Sequence, residues 1–137
     1  MRTLLATSLA FLALAWVIPA SAQDAYPTLT GTWKGPADRI VLHRDDSEPT
    51  YETKPLTLVV KGQRDRRFYG AIEIVERKQT LMFDLAGIFT SQNTFSWAEP
   101  DGLVQGRMID SSTIEACYLR ISTFSQAAAC ETLKRQN

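Results

Sequence analysis

The sequence predicts an all-β protein, folded as an antiparallel up-and-down barrel of about eight strands. Between residues 29 and 135, apolar and polar residues alternate in short runs, which is the period of strands with one buried face. Turn sequences rich in Gly, Pro, Asn and Asp separate these runs, so that successive strands are expected to pair as hairpins. Glycines inside several runs would permit the bends of a small barrel. A β-sandwich is the alternative architecture.

The first 22 residues have the organisation of a secretory signal peptide. Arg2 precedes an apolar run over residues 4–18, and Ala20-Ser-Ala22 supplies the small residues of a cleavage site. We expect cleavage near Ala22, which leaves residues 23–137 as a single β-barrel domain that is secreted or periplasmic. An uncleaved anchor is the alternative, but the apolar run is shorter than the roughly 20 residues of a spanning helix. No membrane span is therefore expected in the mature chain.

The first strand is expected to contain Leu29-Thr-Gly-Thr-Trp-Lys-Gly35, with Leu29, Gly31 and Trp33 on one face. Gly35-Pro36 is expected to interrupt it, because proline cannot donate a hydrogen bond to a ladder. The charged segment 43–55 contains two prolines and predicts one long loop, with the next strand starting at Pro55. The strand pattern resumes at residues 39–43, and the remaining strands are predicted at residues 56–61, 68–74, 81–89, 94–97, 103–109, 113–121 and 126–135.

The two cysteines are expected to form a disulfide, because an isolated pair in an exported protein is usually oxidised. A hairpin that turns at residues 122–125 places Cys117 directly opposite Cys130. Directly opposed strand residues lie within the distance that a disulfide requires. Closing this ring would stabilise the fold by about 3 kcal/mol on the chain-entropy model. Two free buried thiols are the alternative.

The Gly31-x-Trp33 motif in the first strand of a small exported barrel resembles the calycin group, which comprises lipocalins and avidin-like proteins. In that group a basic residue of the last strand packs over the tryptophan. The resemblance therefore implies structural roles for Gly31, Trp33 and Arg135, with Lys134 as the alternative partner. Segments 29–35 and 67–70 also resemble uncharacterised exported bacterial proteins. The resemblance implies a fold without naming a ligand, because the Thr-Asp-Tyr segment of lipocalins is absent.

Aromatic side chains supply the candidate ligand-binding residues, because an eight-stranded barrel either fills its interior or holds one small ligand. The candidates are Trp33, Trp97, Phe83 and Tyr118. We expect Trp97 at the mouth of the barrel, beside the turn at residues 99–102. Asp84 and Glu131 interrupt apolar faces, and either would face a ligand if it pointed inward, since an unpaired buried charge is costly.

No metal, cofactor or catalytic residue is predicted. His43, the only histidine, precedes Asp45, Asp46 and Glu48, but these residues lack the glycine and spacing of a calcium loop and are interpreted as a solvated loop. No Gly-x-Ser-x-Gly or comparable catalytic motif occurs. The chain carries 15 basic and 15 acidic residues, and this balance argues against a nucleic-acid partner.

These observations predict an exported, non-catalytic binding protein. Its ligand is expected to be a small apolar or amphipathic molecule or a protein partner, and the sequence does not specify its oligomeric state. The alternative is a periplasmic protease-inhibitor-like or envelope interaction protein. It would act through an exposed segment such as the N-terminal lead or residues 43–55.

Overall fold

In a computed structural model, which describes residues 25–45 and 48–137, the chain forms a closed barrel of eight antiparallel strands. The strands are β1 (Gly31–His43), β2 (Thr50–Arg64), β3 (Arg67–Glu76), β4 (Gln79–Phe89), β5 (Thr94–Glu99), β6 (Gly102–Asp110), β7 (Thr113–Ile121) and β8 (Ser125–Arg135). Each strand pairs with the next, and β8 returns to pair with β1. The predicted up-and-down barrel is confirmed and the sandwich is excluded. The predicted signal peptide lies outside the described residues.

The interruption predicted at Gly35-Pro36 is wrong, because β1 is continuous. Pro36 lies opposite Pro55 on β2. Two prolines can face each other only at a non-hydrogen-bonded pair, where neither residue donates a backbone hydrogen bond to the other. The backbone nitrogens of Pro36 and Pro55 instead point to the outer neighbouring strands, β8 and β3. The β1–β8 pairing skips residues 35 and 36, and the β2–β3 pairing starts at Leu56, so neither ladder needs an N–H group from a proline. The ladders therefore accommodate both prolines.

The long loop predicted at residues 43–55 is also wrong, since β2 begins at Thr50. The sequence at the start of β2 looks irregular because its inner face carries charged residues. Glu52 and Lys54 are nevertheless half-buried, while Tyr51 and Thr53 are exposed, which is the alternation of a strand. Ion pairs at the inner face replace the apolar residues that normally mark a strand.

One end of the barrel is closed by a packed core. Trp33 is fully buried there, its Nε1 donates a hydrogen bond to the carbonyl of Leu29 at 2.9 Å, and the Arg135 guanidinium lies 4.1 Å from the centre of its ring system. The N-terminal lead, residues 25–30, crosses this end before β1 begins, and the Leu29 amide donates a hydrogen bond to Oε1 of Gln63 at 2.8 Å. Five rings pack together beneath it with centroids 5.5–6.4 Å apart: Tyr26, Phe68, Phe89, Phe95 and Trp97.

Gly87 on β4 makes room for this aromatic packing. A Cβ atom at this position would lie 2.2 Å from the ring of Phe68, which is closer than two non-bonded carbon atoms can approach. The glycine therefore allows the Phe68 ring to lie directly against the barrel wall.

The disulfide is confirmed and lies on the outer surface. Cys117 on β7 faces Cys130 on β8, with their Cα atoms 4.1 Å apart. Both residues are exposed, because they alternate with the inward-facing Ala116 and Ala129. The bond joins strands that already share a ladder, so it reinforces the last hairpin and leaves the interior unchanged.

Candidate functional site

The opposite end of the barrel holds an open cavity of about 120 Å³. It lies inside the half of the barrel that contains the β1–β2, β3–β4, β5–β6 and β7–β8 connections. Its inner wall is apolar and its rim is charged. It is lined by Ala37, Arg39, Lys54, Pro55, Leu56, Ile72, Ile74, Glu76, Leu81, Phe83, Glu99, Asp101, Tyr118, Arg120, Ala129 and Glu131.

The cavity exists because one wall of the barrel carries small side chains. The inward positions of β1, β7 and β8 include four buried alanines: Ala37, Ala116, Ala127 and Ala129. The facing wall on β2, β3 and β4 carries larger residues that cannot reach across the barrel, such as Leu56, Ile72 and Phe83. An eight-stranded barrel closes its interior when large side chains point in from all sides. Here the alanines leave the space open.

Four charged side chains at the rim form an ion-pair network on β1, β2 and β3. Nζ of Lys54 lies 3.0 Å from Glu52 and 3.1 Å from Glu76. Nε of Arg39 lies 3.2 Å from Oε1 of Glu52, an ion-pair contact whose angle falls short of a hydrogen bond. The hydrogen bond from Lys54 lowers the pKa of Glu76. Both cations in this network therefore have carboxylate partners.

A second network links β7 to the turn between β5 and β6. The hydroxyl of Tyr118 donates to Oδ1 of Asp101 at 2.8 Å, and Arg120 lies 3.3 Å from Oδ2 of the same carboxylate. Burial and the hydrogen bond to Asp101 raise the pKa of Tyr118. Gly102 is required here, since a Cβ atom would lie 2.1 Å from the Tyr118 ring. Arg120 also bonds Ser125, but its buried Nε has no hydrogen-bond partner among the described residues.

Glu131 on β8 is the most unusual group in the cavity. It is only 5% exposed, and its neighbours in the ladder are Ala37 on β1 and Ala116 on β7, which offer no polar side chain. Its Oε2 accepts no hydrogen bond from any residue between 25 and 45 or 48 and 137. Burial, and then the charge of Glu99, raises the pKa of Glu131 to about 8.

Glu99 at the end of β5 is the second carboxylate without a cationic partner. Its Oε1 accepts a hydrogen bond from Nε1 of Trp97 at 2.9 Å. Burial raises the pKa of Glu99, and the charge of Asp101 adds to this rise. The hydrogen bond from Trp97 acts in the opposite direction but is the weaker effect. Within the described part of the chain, neither Glu99 nor Glu131 forms an ion pair, whereas every arginine and lysine that lines the cavity does.

The predicted ligand-binding residues separate into two groups. Phe83 and Tyr118 line the cavity. Trp33 lies in the closed end under Arg135, where Gly31 precedes it with a positive φ of 132°. Trp97 is 1% exposed and stacks on Phe95 at 5.5 Å, so it is in the core instead of at the mouth where it was expected. It reaches the cavity only through its hydrogen bond to Glu99.

Of the two acids that interrupt apolar runs, only Glu131 points inward. The Asp84 side chain is 89% exposed on the outer face, 3.9 Å from Lys61. Glu99, Arg39 and Arg120 also line the cavity, although they were not among the predicted site residues. Strand alternation could have identified them, because each lies two residues from an inward-facing apolar or aromatic residue and therefore on the same face: Trp97, Ala37 and Tyr118 respectively.

His43 lies at the end of β1, and the described residues around it do not bring metal ligands together. Over the described ranges, no three His, Cys, Asp or Glu side chains lie together in a way that could hold a metal ion. Asp46, part of the acidic segment considered above, is not among the residues described. A search of the described residues also finds no helix of the length and hydrophobicity needed to cross a membrane.

No protein-family model matches this chain, and no curated protein sequence matches it. Among solved structures, a redesigned β-barrel is similar with a TM-score of 0.53 and 14% identity, over 80% of this chain and 92% of that one. A DUF3598-family protein of unknown function from Nostoc punctiforme has a TM-score of 0.54 and 12% identity, over 82% of this chain and 50% of that one. The S-type phycobiliprotein lyase CPES from Guillardia theta has a TM-score of 0.52 and 8% identity, over 80% of this chain and 89% of that one. At these identities the likeness concerns the fold, a closed antiparallel β-barrel.

Proposed function

We propose that this protein is an exported, calycin-like binding protein that holds a small amphipathic molecule in the open end of its barrel and does not catalyse a reaction. The observation that carries the proposal is the cavity itself, whose wall is apolar and whose rim is charged. Binding pockets for small molecules combine an apolar lining with a few placed polar groups. A barrel packed solid at both ends would offer no such site.

The size of the cavity sets the size of the ligand. Its volume of about 120 Å³ is comparable to that of apolar protein cavities that accept a benzene ring, which are about 150 Å³. We therefore expect one ring or a short branched chain inside, with the polar end of the ligand at the rim. The open mouth lets a longer substituent extend outward.

The other parts of the proposal rest on separate observations. An exposed disulfide persists in an oxidising compartment, which supports export together with the signal-peptide pattern of residues 1–22. The solved barrel of the phycobiliprotein lyase supports the calycin-like assignment at the level of the fold. The proposal of a non-catalytic role rests on the absence of any catalytic sequence motif.

A steric plug tests the proposal. Ala129 is buried at the cavity wall, while Ala128 lies beside it on the outer face. We expect phenethyl alcohol to shift the amide NMR signals of cavity residues in a saturable manner in the wild type and in Ala128→Phe. Ala129→Phe should fill the cavity and abolish these shifts while its spectrum remains that of a folded protein. Equal titrations of the two variants, or no saturable shift in the wild type, would overturn the proposal.

A second candidate function, binding of a protein partner, is favoured by one feature of the outer surface. Five side chains from five adjacent strands form an apolar row, each directly opposite the next in the ladders: Leu103, Leu119, Ala128, Ile40 and Tyr51. Leu119 is 58% exposed and Tyr51 is 75% exposed. Contiguous apolar surface is characteristic of protein interaction sites.

Photo-cross-linking in the native organism tests this second function. A cross-linking residue at position 119 should capture one defined protein, and the same residue at the exposed position 84 on β4 should not. Tyr51→Lys should abolish the capture, because a charge in the row would be desolvated in the complex. Identical products from positions 119 and 84 would exclude the row as an interface.

A further inference from the structure

We propose that the ligand is a small organic cation, a protonated amine carried on a single apolar ring or chain, whose ammonium group is held by Glu131 and Glu99. This inference rests on the proposed function and names the chemical class that the cavity selects. It follows from the two carboxyl groups that have no cationic partner inside the described part of the barrel.

The positive groups of the cavity have carboxylate partners within the protein. Arg39 and Lys54 contact Glu52 at 3.2 and 3.0 Å, and Arg120 contacts Asp101 at 3.3 Å. A ligand carboxylate would have to compete with these internal partners. An anionic ligand is therefore disfavoured, even though three cations line the site.

Two of the four acidic side chains that line the cavity, Glu131 and Glu99, have no cationic partner among the described residues. Glu76 and Asp101 contact Lys54 and Arg120 respectively. Glu131 is buried, its Oε2 accepts no hydrogen bond from the described residues, and its neighbours on both flanking strands are alanines. Glu99 receives one neutral donor, Nε1 of Trp97. A buried carboxylate without a partner is costly unless a ligand completes it.

The nature of the lining distinguishes an organic cation from a metal ion. Hard divalent cations need six or more oxygen ligands. The described residues place no group of three or more metal-ligating side chains together, and the facing wall of the cavity carries apolar residues such as Ile72 and Phe83. An alkylammonium group needs few acceptors, and its carbon skeleton can occupy the apolar space.

The ionisation of the two acids supports the same conclusion. Burial and the charge of Glu99 raise the pKa of Glu131 to about 8, so that near neutral pH it is largely protonated when no ligand is bound. Burial also raises the pKa of Glu99. The other charged groups that line the cavity are paired: Arg39, Lys54, Glu76, Asp101 and Arg120. An incoming ammonium would favour the ionised form of Glu131 and displace its proton.

Three probes of similar shape and different charge test the inference: phenethylamine, phenethyl alcohol and hydrocinnamate. Calorimetric titration at pH 8.5 should show that the wild type binds the amine at least about ten-fold more tightly than the alcohol, and the acid most weakly. At pH 5.5 the amine should bind at least about ten-fold more weakly than at pH 8.5, because protonated Glu131 no longer attracts it. The affinity for the alcohol should change little.

Charge-neutral variants assign the effect to the two acids. Glu131→Gln, and independently Glu99→Gln, should reduce the preference for the amine, whereas Glu115→Gln on the outer face should retain it. Two acids tested separately keep the inference testable if one variant does not fold. Binding of the alcohol as tightly as the amine, or tighter binding of hydrocinnamate, would overturn the cation assignment and leave the small-molecule function standing. Failure of all three probes to bind would overturn both.

Discussion

At the scale of single residues, Glu131 is the position where the chemistry of the interior departs from that of a packed core. The residues two before and two after it on β8 are the buried Ala129 and Leu133, so strand alternation directs its side chain inward with them. Nothing among the described residues neutralises its carboxylate. A core selected for stability alone would have an apolar residue at this position.

The raised pKa of Glu131 predicts a dependence of stability on pH. Its pKa of about 8 in the folded protein exceeds the ordinary value of 4.5, so the neutral form favours folding. This stabilisation is fully present below about pH 4.5 and is lost as the pH rises through about 8. We expect the free energy of unfolding by urea to fall by an amount on the order of a few kcal/mol between pH 5 and 8.5. Glu131→Gln should flatten this decrease.

The matched control for this experiment is Glu115→Gln. Glu115 is ion-paired with Arg107 at 2.8 Å on the outer surface, with 45% of its side chain exposed. It should keep the pH slope of the wild type. If Glu131→Gln and the wild type lose stability in parallel across this range, then the carboxylate of Glu131 is not buried as described.

At the scale of secondary-structure elements, the pairing register of the β7–β8 hairpin brings the two cysteines together. β7 and β8 are joined by a turn in which the Ser122 amide bonds the Ser125 carbonyl at 3.0 Å. This turn sets the register in which Cys117 opposes Cys130, and β8 then closes the barrel on β1. The disulfide thus constrains the strand on which closure and Glu131 both depend.

Removal of the disulfide should destabilise the protein without changing its fold. The bond spans a sequence separation of 13 residues. For a ring of this size the chain-entropy model gives about 3 kcal/mol. We expect Cys117→Ser/Cys130→Ser to lower the free energy of unfolding by about that amount, measured by urea titration. A reducing agent should destabilise the wild type similarly and leave the double variant unaffected, and a stable reduced wild type would contradict this prediction.

At the scale of the whole molecule, the two ends of the barrel differ in packing and charge. The closed end contains the aromatic cluster, the lead and the Trp33–Arg135 contact, which together supply much of the core. The open end contains fewer large side chains and most of the charged residues that face inward. Stability and binding should therefore respond to substitutions at different ends.

Two phenylalanine substitutions separate these contributions. Phe95 is 1% exposed in the closed end, and Phe83 lines the cavity. Phe95→Ala should cost about 3–5 kcal/mol of stability, as expected for a buried aromatic residue, with little change in the affinity for phenethyl alcohol. Phe83→Ala should cost less stability and weaken binding. The two variants are compared by urea unfolding and NMR titration, and the reverse pattern would show that the ends are not independent.

Much of the architecture follows from local patterns that the sequence contains. Alternation of side chains, turn residues and the spacing of the cysteines predict about eight antiparallel strands and the disulfide, because these depend on period-two geometry and short connections. The prolines at 36 and 55 account for the two wrong predictions, the interruption of β1 and the long loop before β2. Whether a missing N–H group matters depends on the partner strand, which local sequence does not reveal.

The sequence by itself determined the fold class, because burial of alternate residues along short strands admits few architectures. Only the tertiary structure decided where the interior stays open and which charges lie in it. Glu99, Glu131, Arg39 and Arg120 come from four strands that meet only when β8 pairs with β1. Which of these acids remain without a cationic partner is set by the distances between strands in the closed barrel. No local pattern encodes those distances.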